Sequence, residues 1–487
     1  MIQQVSKPAY LTEIQAASLV SELEEKNDLF NITLEGYSAW RIVRSKVLNK
    51  MQQYPFVDRR PSYLRIEWLF ERLLLFIPDL ISILSARPAS FFVKSFSSAL
   101  NDQVDGYYKD VYFDDVMVIA GSCFKVETLN NLSYSSRRKK ALLPAVLTTA
   151  AIDLIAAFCM LVFPSKASSR AAAQIIDILH KEPILFKIKI GDIKLTLKRF
   201  YWLKRIYLYL LRKVSPSHVL VADSGEFALL AASQECKIRS VEFQHGVFIR
   251  EHPDALPKLK IANRRSLLLP DKLFLYGNYW KEQLLESEFL DDELRVVGNP
   301  RIDLFRKIRA GNERSLGGSP IKILVTTQGV DRERLIDFLL GFAKSANGVI
   351  QYTLTIKLHP ISDRDKIPYI RAFKGYPNVQ ILLGSEQPST FDLLARSDIH
   401  ASIASAVHYD ALGLGVPTII IPLAGHEIIQ PLVDAGHAKI SHTPVEMLKL
   451  VRDLKHILIT SDISDYYFAP NSIHTICEEL GISNHSA

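Results

Sequence analysis

A histidine at the tip of an apolar, strand-like run is the first group on this chain with chemistry to offer. Lys357-Leu358-His359-Pro360 follows Tyr352-Thr353-Leu354-Thr355-Ile356. Pro360 blocks an immediate helix, so the imidazole stands at a turn. There it can donate to a phosphate or move a proton. Downstream, Ser402 and Ser405 close another strand-like run ahead of the helical stretch 406–412. They can cap that helix, and a helix start also attracts anions. Thr327, Gln328 and Gly329 follow the run 321–325, and Lys357 stands beside the histidine. This set suits the phosphates of an activated nucleotide, which predicts group transfer from a nucleotide donor.

Such a transfer needs a base for the acceptor hydroxyl. Gln244-His245-Gly246 follows the run 240–243 and offers His245 as a neutral imidazole. Gly246 lets a substrate come close. Asp223, in Asp223-Ser224-Gly225-Glu226, is the competing carboxylate, with Glu226 nearby and helix capping as its other role. Asn278, in Tyr276-Gly277-Asn278, and Asn299 and Arg301, in Gly298-Asn299-Pro300-Arg301, are expected to face the cleft. Arg301 can pair with a phosphate or form a salt bridge. One DxD occurs, Asp363-Arg364-Asp365, but its interleaved cations predict a solvated charged loop and no metal site. No cofactor is expected beyond the nucleotide substrate. Cys123, Cys159, Cys236 and Cys477 are far apart, which predicts reduced thiols in the cytoplasm.

These groups need a scaffold. A chain of 487 residues suits two or three domains. Its 59 basic against 52 acidic residues leave a net charge of +7, which favours an anionic partner such as a nucleotide, a phosphorylated lipid or a membrane surface. Nucleic acid is not expected, since none of its familiar signatures is visible. Residues 1–110 read as helical. The stretches 37–44 and 68–73 mix aromatic and basic residues, which fits either a core-packed subdomain or a membrane-facing surface. Residues 111–310 alternate apolar runs (116–120, 219–222, 240–243, 272–275, 295–297) with helical ones and predict a parallel sheet. A Gly-rich linker at 309–320 precedes a second such series over 320–470. Ligands bind at the carboxyl ends of such strands. The stretch 141–163 is long enough to span a bilayer, but Asp153 and Pro144 predict a buried or monotopic helix instead. The opening residues carry no basic-then-apolar pattern of an export signal.

The expected fold class is α/β, two facing Rossmann-like domains with a helical N-terminal addition. Over residues of about 215 to 450 the chain resembles bacterial surface-polysaccharide glycosyltransferases of the GT-B architecture. KLHP with Ser402 and Ser405 is similar to the His-Pro and serine motifs of bacterial sialyltransferases and capsule transferases. The resemblance implies donor phosphate and nucleotide contacts for His359, Ser402 and Ser405. Gln244-His245-Gly246, with Gly298-Asn299-Pro300-Arg301-Ile302-Asp303, resembles surface-polysaccharide enzymes and teichoic-acid polyol-phosphate transferases, which implies His245 as base. Sialyltransferases use a carboxylate in an acidic-acidic-glycine motif. Asp223-Ser224-Gly225 is the nearest match and departs at its second position, so the base lies between His245 and Asp223. The implied activity moves a sugar from a CMP-, UDP- or GDP-linked donor to a lipopolysaccharide, capsule or other surface glycan, without a metal. The implied setting is the inner face of the cytoplasmic membrane, with peripheral membrane contact and a lipid-linked acceptor. CDP-polyol phosphotransfer, nucleotide-sugar epimerisation and a non-catalytic assembly scaffold stay open as alternatives.

Overall fold

The computed structural model describes residues 13–51, 62–104, 106–129, 140–181, 188–222, 225–248, 250, 252, 255–259, 263–311, 320–457 and 459–483. It opens with helix α1 (Glu13–Lys26), a hairpin of β1 (Thr33–Leu34) and β2 (Tyr37–Ser38), then α2 (Ala39–Met51) and α3 (Ser62–Leu84). Segment 37–44 belongs to the core. Trp40, Arg41 and Arg44 are buried, and Trp40 Nε1 and Arg44 Nε both donate to Glu24 of α1, each at 2.6 Å.

The first sheet begins with β3 (Phe91–Phe96). A hairpin of β4 (Leu100–Val104) and β5 (Tyr107–Asp110) leads to α4 (Asp114–Ala120) and β6 (Cys123–Thr128). The strand expected at 116–120 is thus a helix. Asp114 and Asp115 occupy its first turn, where the helix dipole favours them. Asp114 also accepts from Lys125 Nζ at 2.5 Å, and Gly121 closes the helix at φ 69°. Because β3 pairs inside the sheet, the first domain takes in residues before the expected boundary at 111. After β7 (Leu147–Thr148) come α5 (Thr149–Val162), α6 (Lys166–Leu179) and α7 (Ile190–Val214). Then follow β8 (His218–Val221), α8 (Phe227–Cys236), β9 (Arg239–Phe243), β10 (Lys272–Leu275), α9 (Asn278–Leu284), β11 (Leu294–Val296) and α10 (Pro300–Gly311). The spatial order is β11-β10-β9-β8-β3-β6-β7, all parallel. Within 141–163 only α5 is helical. Asp153 on it pairs with Arg72 at 2.5 Å and Arg199 at 2.7 Å. Among the described residues no single helix is long and apolar enough to cross a membrane; α5 and α6 pass that test only as a pair bent by 87°.

The expected linker begins inside α10, and 312–319 lie outside the described residues. The second domain runs β12 (Ile321–Thr326), α11 (Arg332–Ala346), β13 (Tyr352–Lys357), α12 (Ile367–Ala372), β14 (Val379–Leu382), α13 (Thr390–Ala395), β15 (Ile399–Ser402), α14 (Val407–Gly413), β16 (Thr418–Ile420), α15 (Gln430–Asp434), β17 (Lys439–Ile440) and α16 (Pro444–Leu454). Its parallel order, β14-β13-β12-β15-β16-β17, is the Rossmann order, which reverses direction between β12 and β15. The chain is therefore two Rossmann-like α/β domains with added N-terminal helices, as expected.

Helices α17 (Ser461–Tyr467) and α18 (Ser472–Glu479) then return to the first domain. Ile476, Cys477 and Leu480 pack with Val93, Phe113 and Leu220. Ser472 donates to Asp303 through N at 2.8 Å and Oγ at 2.6 Å, and Ala469 N reaches Tyr276 O at 2.7 Å. This strap lies so close that a Cβ at Gly277 would overlap the backbone of Tyr466 and Tyr467, and one at Gly298 would overlap Ala469 O. Gly298 also sits at φ +81°. Gly277→Ala is expected to cost about 1–3 kcal/mol through overpacking, read as a lowered thermal unfolding midpoint. Gly375→Ala, with open space around its position, should leave the midpoint unchanged.

Candidate functional site

The expected donor residues lie on three neighbouring strand tips, β13, β12 and β15, at the point where the second sheet reverses direction. Parallel sheets bind ligands in the crevice at such a point. Pairing of Thr326 with Lys357 brings the first two tips level. Gln328 then clamps the third: its Nε2 donates to Ala404 O at 2.6 Å, and its Oε1 accepts from Ala404 N at 3.1 Å. Gly329, at φ +73°, lets the loop lie against Ser362 O, where a side chain would overlap.

Hydrogen bonding sorts the set into groups already committed and groups still able to act. Thr327 Oγ1 donates to Asp363 at 2.6 Å and accepts from His359 N at 3.3 Å. Ser402 Oγ spends its proton on Thr326 O at 2.7 Å. The Lys357 ammonium is buried and donates to the carbonyls of Glu386 and Pro388, so it braces that turn and does not face a ligand. Burial lowers its pKa, opposed by Glu386 and Asp392. His359 Nδ1 accepts from Ile361 N and Ser362 N, both at 3.1 Å, which places the ring proton on Nε2. Burial lowers its pKa, opposed by Asp363, so the ring is a neutral donor. Ser405 Oγ accepts from Val407 N at 3.3 Å as a cap and keeps its own proton to donate. His359 and Ser405 are thus the two donors left at the switch point by these bonds.

The solvated reading of the DxD is corrected for Asp363. That carboxylate is fully buried, accepts from Thr327 and from Tyr369 Oη at 2.7 Å, and forms an ion pair with Arg332 at 2.9 Å. Asp365 Oδ1 accepts from Ile367 N at 3.0 Å. A second buried network was not anticipated. His400 stands between the hydroxyls of Thr326 and Thr418, each at 2.9 Å, and His408 Nδ1 lies 2.6 Å from Thr418 Oγ1. Burial, then the neighbouring His408, holds His400 well below its usual pKa, and burial takes His408 to about 3. Both rings are neutral ties among β12, β15, β16 and α14. A histidine inside the apolar strand 399–402 was the available signal.

On the facing domain, His245, Gly246, Asn299 and Arg301 line a cavity of about 200 Å³ together with Tyr276, Ala406 and Asp410. α14 therefore borders both the switch point and this cavity. Gln244 shapes the histidine turn: its Nε2 donates to Gly246 O at 2.7 Å, and its Oε1 accepts from Tyr276 N at 2.9 Å. His245 Nδ1 is buried and meets no hydrogen-bond partner among the described residues. Asn299 Oδ1 accepts from Arg301 N at 2.9 Å, and the Arg301 guanidinium stacks 3.8 Å from the centre of the Phe391 ring, across the domain boundary. Asp410 is half-buried and lines the cavity. Burial pushes its pKa up to about 7 against the pull of Arg301. Asn278 is exposed and does not border the cavity, nor do His359, Lys357, Thr327, Gln328 or Gly329. Asp223 lies outside the described residues, while Glu226 forms an ion pair with buried Lys94. A larger cavity of about 890 Å³, lined by Glu24, Asn27, Arg250 and His252, touches none of the expected site residues.

No protein-family model matches the chain, and no curated protein matches it. Among solved structures it is similar to UDP-GlcNAc 2-epimerase from Methanocaldococcus jannaschii (15% identity, 81% of this chain and 99% of that one, TM-score 0.47). It is similar also to MurG from Acinetobacter baumannii (12%, 81% and 100%, TM-score 0.45). The wall teichoic acid polymerase TagF is a third (11%, 91% and 97%, TM-score 0.46).

Asp410 gives a pH signature. Its folded pKa, near 7, lies above the ordinary 3.8, so the folded state holds a proton that the unfolded state releases. Its contribution to stability is therefore expected to fall as pH rises from about 4 to about 7. Asp410→Asn should flatten that part of a denaturation-midpoint-versus-pH curve.

Proposed function

We propose that this protein transfers a sugar from a nucleotide-activated donor to a surface-glycan or lipid-linked acceptor. One observation carries the reading. α14 closes the second sheet's switch point at one end, and its residues Tyr409 and Asp410 line a cavity shared with His245, Asn299 and Arg301. Donor and acceptor sites thereby meet at one element.

The nucleotide phosphate sits at the switch point, where His359 Nε2–H and the Ser405 hydroxyl donate to it. The acceptor hydroxyl enters the cavity beside His245. His245 takes the hydroxyl proton as the acceptor oxygen bonds to the anomeric carbon. The bond from that carbon to the phosphate oxygen breaks, and the nucleotide leaves as an anion. His359 and Ser405 stabilise the charge that develops there. Because both donors are neutral, they act as directed dipoles. Arg301 supplies a positive charge near the cavity, partly balanced by Asp410. Asp223 remains the alternative base.

A panel of UDP-, GDP- and CMP-sugars and CDP-polyols, assayed for nucleotide release with and without glycan acceptors, tests the reading. The expected result is acceptor-dependent release with no phosphate retained on the acceptor. Phosphate retained on the acceptor would assign polyol-phosphate transfer. Isomerisation without acceptor would assign an epimerase, and inertness toward every donor a scaffold. His245→Ala is expected to lower kcat by on the order of 10²–10⁴. Full turnover in both His245→Ala and Asp223→Ala would remove both base candidates.

A further inference from the structure

Helix α3 is amphipathic with its polarity reversed. Phe70, Leu73, Leu74, Ile77, Ile81 and Leu84 recur at helical spacing on one face, and each is at least 50% exposed. The charged residues Arg72 and Asp79 point the other way. Arg72 pairs with Asp153 of α5, while Asp79 accepts from Thr148 N at 3.0 Å and from the Thr148 hydroxyl. α5 packs beside α3 and ends in Phe158, Leu161, Val162 and Phe163, all exposed, with Leu161 at 86%. Scattered exposed apolar residues are ordinary, but a contiguous field of this kind marks an interaction surface.

The border of the field is basic. α7 sends Lys198 to Met160 O, at the end of α5, and Lys213 to Leu84 O, at the end of α3. Arg199 is 54% exposed, and Arg87 and Arg212 are exposed. Trp202 of α7 packs against Phe163, its ring tilted by 43° and centred 5.6 Å away. Of the acids described on α3 and α5, Asp79 is bonded inward and Asp153 is shared between buried Arg72 and exposed Arg199, while Glu71 is partly exposed. Apolar side chains framed by cations match the boundary of an anionic bilayer, where chains bury and cations meet headgroups. A second copy fits worse, because a two-fold contact would set like-charged borders against each other.

The geometry points to the exposed face of α3 and α5 as a docking surface for an anionic lipid bilayer, which the protein touches without spanning it. This inference is independent of the proposed transfer chemistry, since none of these residues borders the switch point or the cavity.

Co-sedimentation of the full chain with vesicles tests it, using phosphatidylcholine containing phosphatidylglycerol against phosphatidylcholine alone. The chain is expected to bind the anionic vesicles preferentially. The double variant Ile77→Glu/Leu161→Glu should reduce the bound fraction at least tenfold. Its unfolding midpoint and its turnover of soluble substrates should stay unchanged, because both side chains are exposed. A wild-type chain that stays in solution with anionic vesicles overturns the inference, as does a double variant that sediments like wild type. Concentration-dependent dimerisation that the double variant abolishes would assign the face to a second copy and equally overturn it.

Discussion

The two domains are held in one arrangement by a strap laid on bare backbone. Residues 466–472 press against Gly277 and Gly298, where there is no room for a side chain. Trp280 Nε1 donates to Tyr467 O at 2.8 Å, and Tyr279 Oη lies 3.3 Å from Tyr409 Oη. Rings from α9, α14 and α17 fill the junction, with Trp280 and Tyr409 centred 4.8 Å apart and Tyr279 and Tyr467 4.9 Å apart. Arg306 and Arg309 of α10 complete it by donating to the carbonyls of Gly413, Phe468, Ala395 and Ser397. Since α14 belongs to this junction, the position of Asp410 relative to His245 depends on the strap.

Within the second domain, buried polar groups hold the donor loops. Asp363 gathers Thr327, Tyr369 and Arg332, and Gln328 locks one strand tip to another. Removing one partner from such a network leaves a buried polar group unsatisfied, which costs more than the lost bond. Most of the polar residues at the switch point are therefore framework. The side-chain protons that these bonds leave unspent are those of His359 Nε2 and Ser405 Oγ.

Five of the six strands of the second domain were legible almost to the residue, because buried parallel strands read as short apolar runs between turn signals; the two-residue β17 gave no such run. The first domain was less so. β3 carries Lys94 in its middle, a charge that breaks the apolar run and is buried only because Glu226 meets it from far along the chain. The run 116–120 was misread because its helical signals, Asp114 and Gly121, lie at its edges. His245, Asn299 and Arg301 line one cavity, while Asn278, read from the same kind of strand-end position, does not border it. Asp410 read only as part of a helix before a turn. Its place on the cavity near Arg301 comes from the tertiary fold and does not show in local sequence. Lys357 illustrates the converse: a lysine beside a site histidine looks like a phosphate ligand, yet strand alternation turns it toward the 386–388 turn.

The central claim is that an activated nucleotide binds where the second sheet reverses direction. Amide hydrogen exchange measured while titrating UDP-, GDP- and CMP-sugars tests it most directly. The account predicts that one donor slows exchange at 327–330, 359–363 and 403–408, with protection reaching 245–247 when acceptor is added. Protection confined to the cavity beside Arg250 and His252, with the three strand-tip loops unchanged, would contradict it.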